Sequence, residues 1–302
     1  MNPPKGQFEL KLGDVPKEFI DGIPAELSVY STSLMFGGKY FGSGTFATID
    51  EHHGVLTATH VVKLGMEHAE KAQWHVNEEN RKAKRPSGDE KLRLGLKIAD
   101  QIHNFSLPFS LLDPVMIGDG ADKPDGPDLA FIPIPKEFVG KITPRRNFWP
   151  ITKDPEARIA AYDFHHGFIV VMGLPAERAK TQPGSHGFTQ LLELNVEGHF
   201  GAVDVHRRVP PHDYLDIAIG SKDHPLVPAS YGGVSGGGVW QVIFGKKADD
   251  PEQKLIYLPP SLVGVSYYEY EQPDGTVALH AHGPDSIYRE IVREVRARFR
   301  PH

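Results

Sequence analysis

The segment Tyr231-Gly232-Gly233-Val234-Ser235-Gly236-Gly237-Gly238-Val239-Trp240 decides how the chain is read. Glycines on both sides of a serine suit a tight turn, because glycine tolerates positive φ and lets another chain approach the backbone. Acyl transfer by serine needs such a turn, with an exposed hydroxyl and N–H groups aimed where negative charge develops. Ser235 would carry the hydroxyl, and Gly233 and Ser235 the two N–H groups of an oxyanion hole. The residues after the serine narrow the choice of fold. Val239-Trp240-Gln241-Val242-Ile243-Phe244 reads as a strand, whereas a nucleophile elbow places a helix there. Asp274 and His280 lie downstream as an acid and a base for such an elbow, but the missing helix argues against it. Taken alone, the segment also fits a glycine loop with an incidental serine.

Two other segments change that balance. Gly54-Val55-Leu56-Thr57-Ala58-Thr59-His60 is an apolar run ending in a histidine. Packed neighbours would fix the backbone while the imidazole, with a pKa near 6.5, takes and returns a proton. The chain has 16 histidines, so one in an apolar run is weak on its own. Pro127-Asp128-Leu129-Ala130-Phe131-Ile132 puts a carboxylate at the head of another apolar strand. Burying it there is costly unless it accepts hydrogen bonds, and an imidazole N–H is a fitting donor.

Together, Thr57–His60, Asp128–Ala130 and Gly233–Gly237 resemble the trypsin-like, chymotrypsin-fold serine peptidases, bacterial cytoplasmic members among them. That family runs His, Asp, Ser along the chain. Phe41-Gly42-Ser43-Gly44-Thr45-Phe46 looks like the strand before the histidine, and Leu262-Val263-Gly264-Val265-Ser266 like the strand that flanks substrate. The resemblance implies an all-β fold of two six-stranded antiparallel barrels. It implies a serine endopeptidase with His60 as base, Asp128 as orienting carboxylate and Ser235 as nucleophile, acting on a protein or peptide. Val234 stands where many secreted members have an aspartate that pairs with a new N-terminus, so activation by such cleavage is not expected. Ala229, Ser230 and Tyr231 on one side and Ser266, Tyr267 and Tyr268 on the other are expected to wall the substrate pocket, with Ala229 as a small neutral floor that favours apolar or small side chains over arginine or lysine. Glu269 sits close enough to disturb that expectation. The alternative is a catalytically silent member used as a protein-binding module.

The rest of the chain is consistent with this division. Residues 1–24 read as a polar extension, 25–145 as the first barrel and 146–302 as the second, closing with a helix over 286–299. Within the first barrel, residues 64–105 read as a helical, basic insertion. Strands are expected at Leu27–Met35, Lys39–Ile49, Gly54–Val62, Val115–Ile117, Leu129–Ile134, Arg158–Tyr162, Phe168–Met172, Gln190–Val196, Val239–Phe244, Leu262–Tyr270 and Val277–His282. A net charge of -6 excludes a broad basic face and makes nucleic acid an unsuitable partner. No apolar run is long enough to span a membrane. The absence of cysteine excludes disulfides and thiolate metal sites and leans towards a cytoplasmic protein. His280-Ala281-His282 puts two imidazoles on one strand face, but no third ligand goes with them, so neither a metal nor another cofactor is expected. Unrestricted proteolysis would harm a cell, so a regulatory protein partner fits the cytoplasmic reading.

Overall fold

The computed structural model describes residues 15–84, 88–89, 91–98, 104–120, 126–162, 167–183, 189–193, 195–221, 227–246 and 255–300. After helix α1 (Lys17–Ser28), the first half of the chain builds one sheet. Its strands are β1 (Ser31–Phe36), β2 (Lys39–Ile49), β3 (His52–Thr57), β4 (Arg93–Lys97), β5 (Asn104–Pro108), β6 (Val115–Ile117), β7 (Leu129–Pro133) and β8 (Trp149–Pro150). They order as β5-β4-β1-β2-β3-β7-β6, with β8 pairing β2 in parallel off that path. Gly37 and Gly38 both take positive φ, which is what a two-residue hairpin between β1 and β2 requires. The 24-residue helix α2 (Thr59–Lys82) leaves β3 after a single residue, Ala58. Two short helices follow β7, α3 (Lys136–Ile142) and α4 (Pro155–Ala161).

The second half closes on itself. Its strands are β9 (Phe168–Gly173), β10 (Lys180–Pro183), β11 (Thr189–Glu193), β12 (Glu197–Val209), β13 (His212–Ser221), β14 (Gly238–Val242), β15 (Phe244–Lys246), β16 (Leu255–Tyr257), β17 (Ser261–Glu271) and β18 (Thr276–His282). Six of them form a closed barrel in the order β12-β13-β18-β17-β14-β9, and β10-β11 and β15-β16 are separate pairs. A π-helical turn (Ser286–Glu290) leads into α5 (Ile291–Arg298). Ile287, Ile291 and Val295 bury one stripe in a core shared with Leu56, Phe131 and Trp240, so the tail ties the two halves together. Trp149 Nε1 donates to Tyr288 Oη across that seam at 3.1 Å. Trp240, with no exposed surface, packs at a tilt against Tyr30 and edge-on against Trp149.

Several expectations need correction. The two-barrel fold is as expected, but its first unit is an eight-stranded half-barrel sheet rather than a closed six-stranded barrel. The expected insertion contains α2 but also β4 and β5, whose Leu94, Leu96 and Leu107 are fully buried and extend the sheet. The strand expected over Leu27–Met35 starts only at Ser31, because α1 runs to Ser28 and buries Ile23 and Leu27. That helix also crosses the boundary drawn at residue 24. The strand expected over Gly54–Val62 stops at Thr57. Val61, Val62, Gly65 and Ala69 then fall on one buried helical face, so His60 sits in the first turn of a helix. The strand expected over Arg158–Tyr162 is helical, opening with Pro155 in the first turn. Strands β12 and β13 were not expected. Stretches such as Asp204-Val205-His206-Arg207-Arg208 are mostly exposed and lack an apolar alternation.

Candidate active site

The site begins with Asp128, which has no exposed surface. Oδ1 accepts the backbone N–H of His60 at 2.9 Å, and Oδ2 lies 2.6 Å from His60 Nδ1. Distances in this range mark strong, charge-assisted hydrogen bonds to a carboxylate. The first N–H groups of any helix lack internal partners. Helix α2 has Ala58 at its N-cap, with no side-chain cap. Asp128 serves that end from across the sheet and places a negative charge where the helix dipole favours one. Thr59 fixes the same turn by donating to Leu129 O at 2.9 Å. The His60 ring, 24% exposed, is thus held on its inner edge and open on the other.

Ser235 arrives from the second half. Gly233 and Gly236 take φ of 95° and 88°, where a side chain would be strained. A Cβ on Gly236 would come within 2.1 Å of Ser43 O and Thr57 Oγ1, so this position demands glycine. Ser43 N–H donates to Ser235 O at 2.9 Å, and Gly236 N–H donates to Ser266 O at 2.7 Å. The Ser235 hydroxyl donates to Tyr267 O at 3.2 Å, a long bond for an O–H donor. Among the described residues, no protein acceptor meets the N–H of Gly233 or of Ser235.

His60 and Ser235 share a cavity of about 250 Å³ with Tyr231, Gly232, Val234, Ser266, Tyr267, Tyr268, Glu269 and Leu279. Four of the six residues expected in the substrate pocket line this cavity. Tyr231, Ser266, Tyr267 and Tyr268 line the cavity, and Ser230 supports its wall by donating to Glu269 Oε2 at 3.1 Å. Ala229 does not form a floor. It is exposed, off the cavity, with its N–H on Glu177 Oε1 at 3.1 Å. The neutral-floor expectation is corrected further by Glu269, whose carboxylate is on the cavity wall and accepts Tyr231 N–H at 2.8 Å. The bulge between Ser266 and Tyr268 in the β17–β18 pairing shifts side-chain facing there, and the sequence does not reveal it.

The two imidazoles of His280-Ala281-His282 go to different partners. His280 Nδ1 pairs with Asp216 and its ring stacks on Tyr270. His282 is fully buried, and its Nε2 accepts the backbone N–H of Asp128 at 2.9 Å. Among the described residues no group of three potential metal ligands gathers. Burial, with help from nearby His212, pushes the His282 pKa down to about 3, so the ring is neutral and its one proton is on Nδ1. A third layer therefore supports Asp128, which sequence reading missed. Another pair of neighbouring imidazoles in the sequence, His165-His166, lies outside the described residues.

No protein-family model matches the chain, and no curated protein sequence matches it. Solved structures do. Human heparin binding protein aligns over 92% of this chain and 95% of its own, with a TM-score of 0.50 and 11% identity. Its atomic-resolution structure aligns at a TM-score of 0.46, with 11% identity over 92% and 95%. A structure concerned with the Sesbania mosaic virus VPg protein aligns at 0.44, with 14% identity over 94% and 95%. The fold is chymotrypsin-like. At these identities the likeness extends to the fold alone, and the open first sheet is this chain's version of the first barrel.

A neutral His282 makes the chymotrypsin-like core sensitive to acid. Between about pH 6.5 and pH 3 the unfolded chain binds a proton at this residue that the folded chain does not. Stability is therefore full above pH 6.5 and falls as the pH drops through that window. His199, held down to about 4 by burial, acts in the same direction. The slope contributed by one such group is about 1.4 kcal/mol per pH unit. A series of melting curves from pH 7 to pH 4 should show a shallower decline in His282→Gln than in the unmodified protein. Equal slopes would contradict the buried neutral assignment.

Proposed function

We propose that this protein is a serine endopeptidase working through a covalent acyl-enzyme. The observation that carries the reading is the His60–Asp128 pair facing the same cavity as Ser235, with the N–H groups of Gly233 and Ser235 meeting no acceptor among the described residues. With Nδ1–H donated to Asp128, His60 presents Nε2 as a lone pair to the cavity. The Ser235 hydroxyl rotates from Tyr267 O towards that nitrogen and gives up its proton as its oxygen bonds the substrate carbonyl carbon. The C=O electron pair moves onto the carbonyl oxygen, which the Gly233 and Ser235 N–H groups stabilise. His60 then returns the proton to the leaving amine as the C–N bond breaks. Water, deprotonated by the same nitrogen, attacks the acyl ester, and the proton returns to Ser235. Asp128 keeps the ring in one tautomer and balances its transient charge.

The rival reading is a silent binding module. The human neighbour is named for binding heparin, and Ser235 rests its hydroxyl on Tyr267 rather than on His60. Heparin itself suits this chain poorly, because both are acidic. The two readings separate in one experiment. A fluorophosphonate probe should label the purified protein, and Ser235→Ala and His60→Ala should reduce labelling by several orders of magnitude. Absence of labelling in the unmodified protein would favour the module.

The wall chemistry suggests the substrate. Tyr268, exposed on the cavity wall, offers aromatic surface to an apolar stem, and the Glu269 carboxylate offers a negative charge to its end. Cleavage after lysine or arginine follows from that pairing. A peptide library should show this preference and Glu269→Gln should weaken it about tenfold or more, the scale of one charged hydrogen bond. Equal cleavage after leucine and arginine would contradict it. The lack of cysteine supports a reducing, cytoplasmic setting with a regulated rather than digestive role.

A further inference from the structure

Resting on the catalytic reading, we propose that Tyr40 and Ser43 are positioning residues that hold the oxyanion loop assembled through an uncharged clamp. The N–H of Gly233 can point into the cavity only if both peptide planes flanking Gly233 are fixed. Each is fixed through its carbonyl. Gly232 O accepts Ala176 N–H at 2.6 Å. Gly233 O accepts the Ser43 hydroxyl at 2.9 Å and lies 2.6 Å from the Tyr40 hydroxyl. Ser43 is in turn oriented by Leu174 N–H, which donates to its Oγ at 3.0 Å. Tyr40 Oη also lies 2.5 Å from Leu174 O, so one phenol proton serves two carbonyls.

The clamp is closely fitted. A Cβ on Gly233 would sit 2.8 Å from both Tyr40 Cε1 and Leu174 O, so the ring lies directly on the loop. Ser43 has no exposed surface. Burial of the Tyr40 hydroxyl raises its pKa, so the phenol stays a neutral donor. Tyr40 and Ser43 belong to β2 of the first sheet, while the loop belongs to the closed barrel, so the contact fixes one half of the site against the other. The residue before the serine carries no charge of its own. Val234 is 1% exposed and packs in an apolar cluster with Val171, Tyr231 and Val239. The loop therefore has a built-in anchor that needs no new terminus to form.

The test compares the full chain with Tyr40→Phe, Ser43→Ala and Ser43→Thr. Phenylalanine keeps the ring on Gly233 and removes only the hydroxyl, so folding should survive. On a peptide ester, Tyr40→Phe and Ser43→Ala should lower kcat by about tenfold to a hundredfold, up to what loss of a whole oxyanion donor costs. KM should change little, affinity for a peptidyl boronate should fall in step with kcat, and Ser43→Thr should recover most of the loss. Hydrogen exchange at the bonded amides of Val234, Gly236 and Gly237 should be slow in the unmodified protein and faster in the two hydroxyl deletions, Tyr40→Phe and Ser43→Ala. Kinetics and exchange unchanged in both deletions would overturn the clamp. If the unmodified protein is inert to fluorophosphonate, the catalytic reading fails by itself. Exchange then decides the clamp, with faster exchange supporting it and unchanged exchange overturning it.

Discussion

The buried carboxylate of Asp128 is the constraint on which the site depends. A charge with no exposed surface costs several kcal/mol unless donors surround it. Here the donors are the His60 backbone and the His60 ring, so satisfying the charge also positions the histidine. The same bond caps α2, which explains why a helix can begin one residue after β3 without a serine or aspartate at its N-cap. His282 then fixes the Asp128 backbone from behind. Protein stability and the geometry of the candidate site share these bonds, and a change in one is felt in the other.

The second half meets this arrangement with a loop that carries almost no side chains. Gly236, Gly237 and Gly238 let the chain pass within contact of β2, β3 and β9, where a Cβ would collide with backbone or side-chain atoms. Such a loop has little rigidity of its own, since glycine pays the largest entropic cost of ordering. Its order comes from outside, through Ser43, Tyr40, Ala176 and Ser266. The α5 tail and the Trp149–Trp240 seam keep the two halves in register, so the anchors on one half reach the loop on the other.

Much of this was legible in the sequence because its signals are local. Glycines around Ser235 report a turn directly, and Lys39–Ile49 is rich in β-branched and aromatic residues and is a strand. What was not legible depends on pairing at a distance. The cap on α2 comes from a residue 68 positions away, so Thr-Ala-Thr-His read as the end of a strand. His282 looked like half of a metal pair because its partner, a backbone N–H, has no signature in the sequence. Glu269 entered the cavity through a bulge, and Ala229 left it. Strand β12 was not legible because its exposed residues carry no periodic burial to read.

The most direct measurement is the hydrolysis rate of a peptide ester by Asp128→Asn, alongside its melting curve. An asparagine keeps the shape but offers an N–H where the carboxylate accepted one, which favours the wrong imidazole tautomer. If Asp128 orients His60 as base, kcat should fall by about 10⁴ while the fold survives. A folded variant with an undiminished rate would contradict the role of the His60–Asp128 pair, and with it the catalytic reading of the site.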